Sequence, residues 1–338
     1  MKQYPLLMKP YFRFGEETPW GGSMLRDAFM KDAPEDRTGE SLEISALSGK
    51  ESVVANGEYA GKTLSEMIAL WGAELTGTEG DEPFPLLLKL LDAAQTLSVQ
   101  VHPGDDYAIP NEGKLGKSEA WVVLNAEPNA KLAYGLDTNG EDLSKIVAEG
   151  RLEEVLHWEI AKPGDVYYIP NGMVHALGGG IQVYEIQQSS DATYRFWDWN
   201  RVGKDGKPRQ LHTEKALAVT KADRHLPKPE GTTILCKGGS RTYYISDAHF
   251  ELCRLNVSSK MPLPEGRMLM ITPAGTCKLT WEDGELTLNP FDSVLVPAAM
   301  RGVCVEGMVK AFMSSLPDQE ALRRELGYRA ECVAGLTE

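Results

Sequence analysis

Residues 164–178 read Gly-Asp-Val-Tyr-Tyr-Ile-Pro-Asn-Gly-Met-Val-His-Ala-Leu-Gly, which places Pro170, Gly172 and His175 at fixed intervals. The apolar run Val166–Ile169 predicts a strand. Pro170 ends it, because proline has no N–H to give to a central ladder. Asn171-Gly172 then turns the chain tightly, and His175 emerges on a second strand. An imidazole on a rigid strand suits a metal ligand, and it also suits a core histidine behind a hairpin.

A second stretch has the same form. Leu288-Asn-Pro-Phe-Asp-Ser-Val-Leu-Val-Pro-Ala-Ala-Met300 aligns with 161–173, so that Pro163, Asp165, Pro170 and Met173 meet Pro290, Asp292, Pro297 and Met300. The repeat predicts a second barrel. Gly302 stands where His175 stands in the first copy, so the second barrel is expected to carry no metal through this motif.

Upstream, 84–92 is an apolar strand with one charge, Lys89, which needs a partner or a polar cavity. In Ser98-Val-Gln-Val-His102-Pro103 the period is two. Ser98, Gln100 and His102 face inward, while Val99 and Val101 face outward against a covering layer. Gly104-Asp-Asp reads as a turn. The next strand, from Gly116, puts Lys117, Glu119 and Trp121 on one face. Two adjacent antiparallel strands would bring His102 and Glu119 together across a ladder. With His175 they make a set of two histidines and one carboxylate.

The remaining segments are mostly scaffold. Residues 39–45 read as a half-buried strand with Glu43 on a solvated face. Thr63 and Glu66 form a capping box ahead of a helix bearing Leu64, Met67, Ile68 and Trp71. Asp142 caps a helix with Leu143, Ile146 and Val147, and a second helical piece, 152–156, ends at His157, read as a surface group. Gly178 to Gly180 is a hairpin turn, not a phosphate loop. Arg195 lies between aromatics in 193–201, a place that equally suits an ion pair with Asp198 or Glu185. Residues 203–231 are a polar linker with one short helix over 214–220; His212 and His225 within it, and His249 beyond it, are read as non-functional. A charged helix follows Asp318. The expected domains are a catalytic barrel over 1–230, a degenerate barrel over 231–316 and a helical tail over 317–338.

Composition narrows the function classes. The 338 residues are 42% hydrophobic, enough for more than one core. The 33 glycines and 20 prolines at short intervals suit many short strands. A formal charge of −14 argues against nucleic acid as a partner. No apolar run approaches the ~20 residues of a membrane span, and Met1 to Pro5 is no signal peptide. Five cysteines without a CxxC pair read as reduced, buried thiols of a cytoplasmic protein.

The spacing Gly-x5-Pro-x-Gly-x2-His resembles the second half of the cupin signature. Five motifs then converge: 84–93, 98–103, 116–121, 170–176 and 187–195 resemble the short bacterial form of mannose-6-phosphate isomerase, in order and over most of 5–315. The resemblance implies a mainly β protein with two cupin-like (jelly-roll) barrels. It implies a zinc enzyme that interconverts mannose 6-phosphate and fructose 6-phosphate. By position it assigns zinc to His102, Glu119 and His175, with Gln100 as a possible further ligand, and catalysis to Arg195. Leu42 departs from the family's usual tryptophan.

The expected chemistry is proton movement between C1 and C2 through a cis-enediol, with a Lewis-acidic ion on the two oxygens. Lys117, Glu43, Glu185 and a water on the ion are the candidate bases. Lys117, Arg195 and Arg201, with Ser189 and Ser190, are the candidate phosphate partners; Lys89 is a weaker candidate of the Lys117 kind. The competing readings are an iron oxygenase on a cupin scaffold and a non-catalytic sugar-phosphate-binding protein. The expected partner is a small sugar phosphate, and the expected assembly a monomer or homodimer.

Overall fold

Runs of alternating and wholly apolar residues, cut by Gly and Pro, become short antiparallel strands in a computed structural model that describes residues 2–79, 83–223 and 226–336. His225 lies outside the described residues. The chain divides into two units: Met1–Tyr11, Leu42–Lys89 and Pro229–Glu338 in one, Phe12–Ser41 and Leu90–Lys228 in the other.

The second of these units carries His102, Glu119 and His175. Its five-stranded sheet runs in the order Tyr194–Trp197, Val99–Val101, His175–Ala176, Lys131–Leu136, Leu156–Ile160. The strands Val166–Ile169, Glu119–Ala126 and Ile181–Gln188 lie side by side in a separate sheet. Leu132 and Tyr134 from the first sheet share one core with Trp121, Val123, Tyr167 and Ile169 from the other. The outer face of the five-stranded sheet buries Val99, Val101 and Ala133 beneath Leu143, Ile146, Leu152 and Ala216. The valines therefore face a covering layer, as the period-two alternation requires.

The other unit holds an eight-stranded and a four-stranded antiparallel sheet. Leu322 and Leu326 of the helix Gln319–Leu326 pack into its core. Among the described residues no ladder closes either pair of sheets into a ring, so both are double-sheet jelly rolls, not continuous barrels. The sequence repeat is visible in backbone detail. Asp165 Oδ2 accepts from Lys162 N at 3.1 Å and Asp292 Oδ2 from Asn289 N at 2.7 Å. The residue before each aspartate is left-handed, Gly164 at φ 93° and Phe291 at φ 64°.

Several expectations are corrected. Thr38–Ile44 is buried along its whole length, Glu43 included, because this strand is covered on both faces. Gly104-Asp-Asp does not turn the chain; it opens the helix Asp105–Glu112, whose internal Pro110 disguises it. Asp105 and Asp106 in the first turn and the left-handed Gly113 at the end are the signals that mark it. His157 sits on the strand Leu156–Ile160 and pairs with Asp137 at 2.8 Å. The short helix expected within 203–231 forms, over Thr213–Val219, but it buries Ala216 against the five-stranded sheet, so this segment is packed and not a free linker. All five cysteines are free, but only Cys253 and Cys277 are buried, and Cys332 is exposed.

Candidate metal centre

Three elements converge on one point. Pro103 stops the strand Val99–Val101 just after His102. The turn at Asn171-Gly172 delivers His175 to the neighbouring strand of the same sheet, where it stands directly opposite Gln100. Glu119 comes from the other sheet, between Ile169 and Gln187. His102 and Glu119 are therefore not ladder neighbours, as the sequence suggested. They face each other across the interior, because the helix Asp105–Glu112 carries the chain from one sheet to the other.

The ligand atoms of His102, Glu119 and His175 all lie within 4.8 Å of one another, and all three residues are buried. His102 Nε2 is 3.4 Å from Glu119 Oε2, and His175 Nε2 is 3.2 Å from Glu119 Oε1. The Nδ1 atoms point away: His102 Nδ1 lies 3.0 Å from the Ala192 carbonyl and His175 Nδ1 2.9 Å from the Met173 carbonyl. A carbonyl only accepts, so each Nδ1 carries the proton and donates. Nε2 is then the atom of each ring that faces the Glu119 carboxylate, and the three groups converge on one point. Such an arrangement suits a cation between its members, which is what a metal site requires.

Lys117 supplies positive charge at this point. Its Nζ lies 3.0 Å from His102 Nε2 and bonds Glu119 Oε2. Burial, then Lys117, pushes the His102 pKa down to about 3, so the imidazole is neutral. Burial pushes the Glu119 carboxyl up, but the adjacent Lys117 outweighs it and holds the group well below the usual carboxylate range.

Gln100 and Arg195 adjoin the three. Gln100 Nε2 lies 3.4 Å from His175 Nε2, and Gln100 Oε1 accepts from Ser98 Oγ at 3.3 Å. Arg195 Nε donates to Ser98 Oγ at 3.1 Å and its Nη1 to the Gln210 carbonyl at 3.0 Å. Arg195 makes no side-chain ion pair with Asp198, which binds Arg209 instead at 2.5 Å. Burial, then the nearby Arg209, lowers the Arg195 pKa from the usual arginine range. Glu185 accepts from Trp121 Nε1 at 2.7 Å.

The remaining candidates are paired or buried. Arg201 turns to the Thr96 carbonyl, and Ser190 donates its hydroxyl to the Leu115 carbonyl at 2.6 Å. Glu43 and Lys89 are buried in the other unit. The carbonyls of Met173 and Ala192 escape any reading of side chains. Ser98 was legible only as a residue on the inward face. Among the described residues no second cluster of metal-ligating side chains occurs.

The sequence model described as phosphomannose isomerase type I, catalytic domain, matches residues 14–134. The mannose-6-phosphate isomerase ManA of Bacillus subtilis is 37% identical over 325 residues, covering 94% of this chain and 100% of the relative. The mannose-6-phosphate isomerase of Streptococcus mutans is 36% identical over 87% of this chain and 94% of its own length. The crystal structure of the mannose 6-phosphate isomerase from Bacillus subtilis superposes with a TM-score of 0.86 at 35% identity, covering 92% of this chain and 99% of that one.

Proposed function

This chain belongs to the mannose-6-phosphate isomerase family, an isomerase enzyme, and we propose that it interconverts mannose 6-phosphate and fructose 6-phosphate at His102, Glu119 and His175. The observation that carries this reading is the pair of imidazoles whose Nδ1 atoms are fixed on backbone carbonyls and whose Nε2 atoms meet a buried carboxylate. Two imidazoles and one carboxylate suit zinc, and three protein ligands leave open positions. When bound, the ion supplies Lewis acidity to the C1 and C2 oxygens of the open-chain sugar.

The chain's own groups do the rest. The proton leaves one of the two carbons and returns to the other through a cis-enediol. Lys117 is the nearest proton-bearing side chain to the ligand set, and we assign it proton transfer. Arg195 is anchored by Ser98 and the Gln210 carbonyl, which fixes its guanidinium to hold a substrate oxygen as negative charge develops. Gln100 presents its NH2 to His175, so joining the ion's shell requires its amide to turn over and offer Oε1.

The test is a coupled assay on mannose 6-phosphate, run on protein as purified, after chelation and after zinc is restored. The reading expects activity, its loss and its return. Full activity in protein stripped of metal would overturn it.

A further inference from the structure

We propose that Gln187 is a positioning residue for the metal centre, acting through the turn that follows it. Gln187 is fully buried on the strand Ile181–Gln188 and stands opposite Glu119 in the ladder. Its Nε2 donates to two successive bends of the backbone, the Gln188 carbonyl at 2.7 Å and the Ser190 carbonyl at 2.8 Å. The residues that follow bind outward from there. Gln188 Oε1 accepts from Ser118 N at 2.8 Å, beside Lys117 and Glu119. Ser190 Oγ accepts from Ala192 N at 3.2 Å. The Ala192 carbonyl then receives His102 Nδ1–H at 3.0 Å.

The turn thus touches two of the three ligand-bearing segments. It fixes the tautomer and ring angle of His102 through Ala192, and it ties the start of the Glu119 strand through Gln188. A carbonyl one step from a metal-ligating histidine sets that ligand's basicity and direction. Gln187 holds this carbonyl in place only as a donor, because both of its partners are acceptors. Its Oε1 is buried and takes no hydrogen bond among the described residues. A carboxylate of the same size at this position would set oxygen against two carbonyls.

This inference rests on the metal reading above. The experiment measures zinc affinity by chelator competition for the full chain and for Gln187→Glu, Gln187→Met and Gln182→Met, with urea unfolding of each metal-free protein alongside. Gln182 lies on the same strand and donates to Asp92 at 2.8 Å, so its variant reports a lost buried amide bond of similar kind. Both Gln187 variants should bind zinc roughly 10–100-fold more weakly, and excess zinc should return most of kcat. Gln182→Met should lose stability and keep zinc affinity. Unchanged zinc affinity in both Gln187 variants, or an equal loss in Gln182→Met, overturns the proposal. A parent protein that binds no zinc overturns the metal reading itself.

Discussion

His175 and Gln100 are direct partners across an antiparallel ladder, and their facing nitrogens lie 3.4 Å apart. Through Ser98, just before the strand Val99–Val101, the contact continues to Arg195, so four side chains form a single polar line. The line joins the ligand set to the guanidinium assigned to the substrate. Breaking it at Ser98 tests the link without touching either end. Ser98→Ala should lower kcat/KM about 3- to 10-fold, the value of one hydrogen bond, and leave zinc content unchanged. Steady-state kinetics and metal analysis on one preparation check this; an unchanged kcat/KM would remove Ser98 from the account.

Arg195→Lys keeps the charge and loses the planar fork. We expect a fall of at least about 100-fold in kcat, the range seen when an oxyanion donor is lost, with the metal still bound. Wild-type kinetics in this variant would show that charge alone suffices there.

Lys117 neutralises Glu119 where both are almost wholly buried. In metal-free protein, Lys117→Met leaves an uncompensated buried carboxylate and should cost roughly 3–5 kcal/mol by urea unfolding. Saturating zinc should remove most of that cost, because the ion neutralises the same carboxylate. An equal loss with and without zinc would refute the shared role.

Glu251 supplies a pH signature in the other unit. Burial raises its pKa to about 7, against the opposing pull of Arg267. The folded state therefore holds a proton that the unfolded state releases between about pH 4.5 and 7. Its contribution to stability is present below that window and is lost as pH rises through it. Glu251→Gln should be more stable than the parent by roughly 1–3 kcal/mol at pH 8 and equal to it near pH 4. Urea titrations at the two pH values decide; a gain confined to low pH would reverse the sign.

Gly164 has φ 93°, and among the described residues nothing beyond its chain neighbours lies within 4 Å of its missing Cβ. Gly164→Ala should cost about 1–2 kcal/mol through backbone conformation alone. No loss in thermal or urea unfolding would show that the turn relaxes.

What was legible in the sequence was local. Pro170, Asn171-Gly172 and His175 sit within one turn, and the Asp165 and Asp292 turns repeat because the same short-range bonds form in each. The alternation at 98–102 placed the valines correctly, since one face of that strand meets a covering layer. Relations between sheets were not legible. His102 and Glu119 were expected side by side in one ladder, but the helix hidden by Pro110 takes the chain across the interior. Glu43 looked solvent-facing because alternation alone cannot tell an exposed sheet face from one that is covered. The carbonyls that fix both imidazoles carry no sequence signal, since every residue has one.

Zinc K-edge anomalous difference density from crystals of the metal-loaded protein tests the central claim most directly. The account predicts one strong peak in contact with Nε2 of His102, Nε2 of His175 and the Glu119 carboxylate, with both Nδ1 atoms still on their carbonyls. A peak bound through either Nδ1, or one away from these three residues, would contradict it.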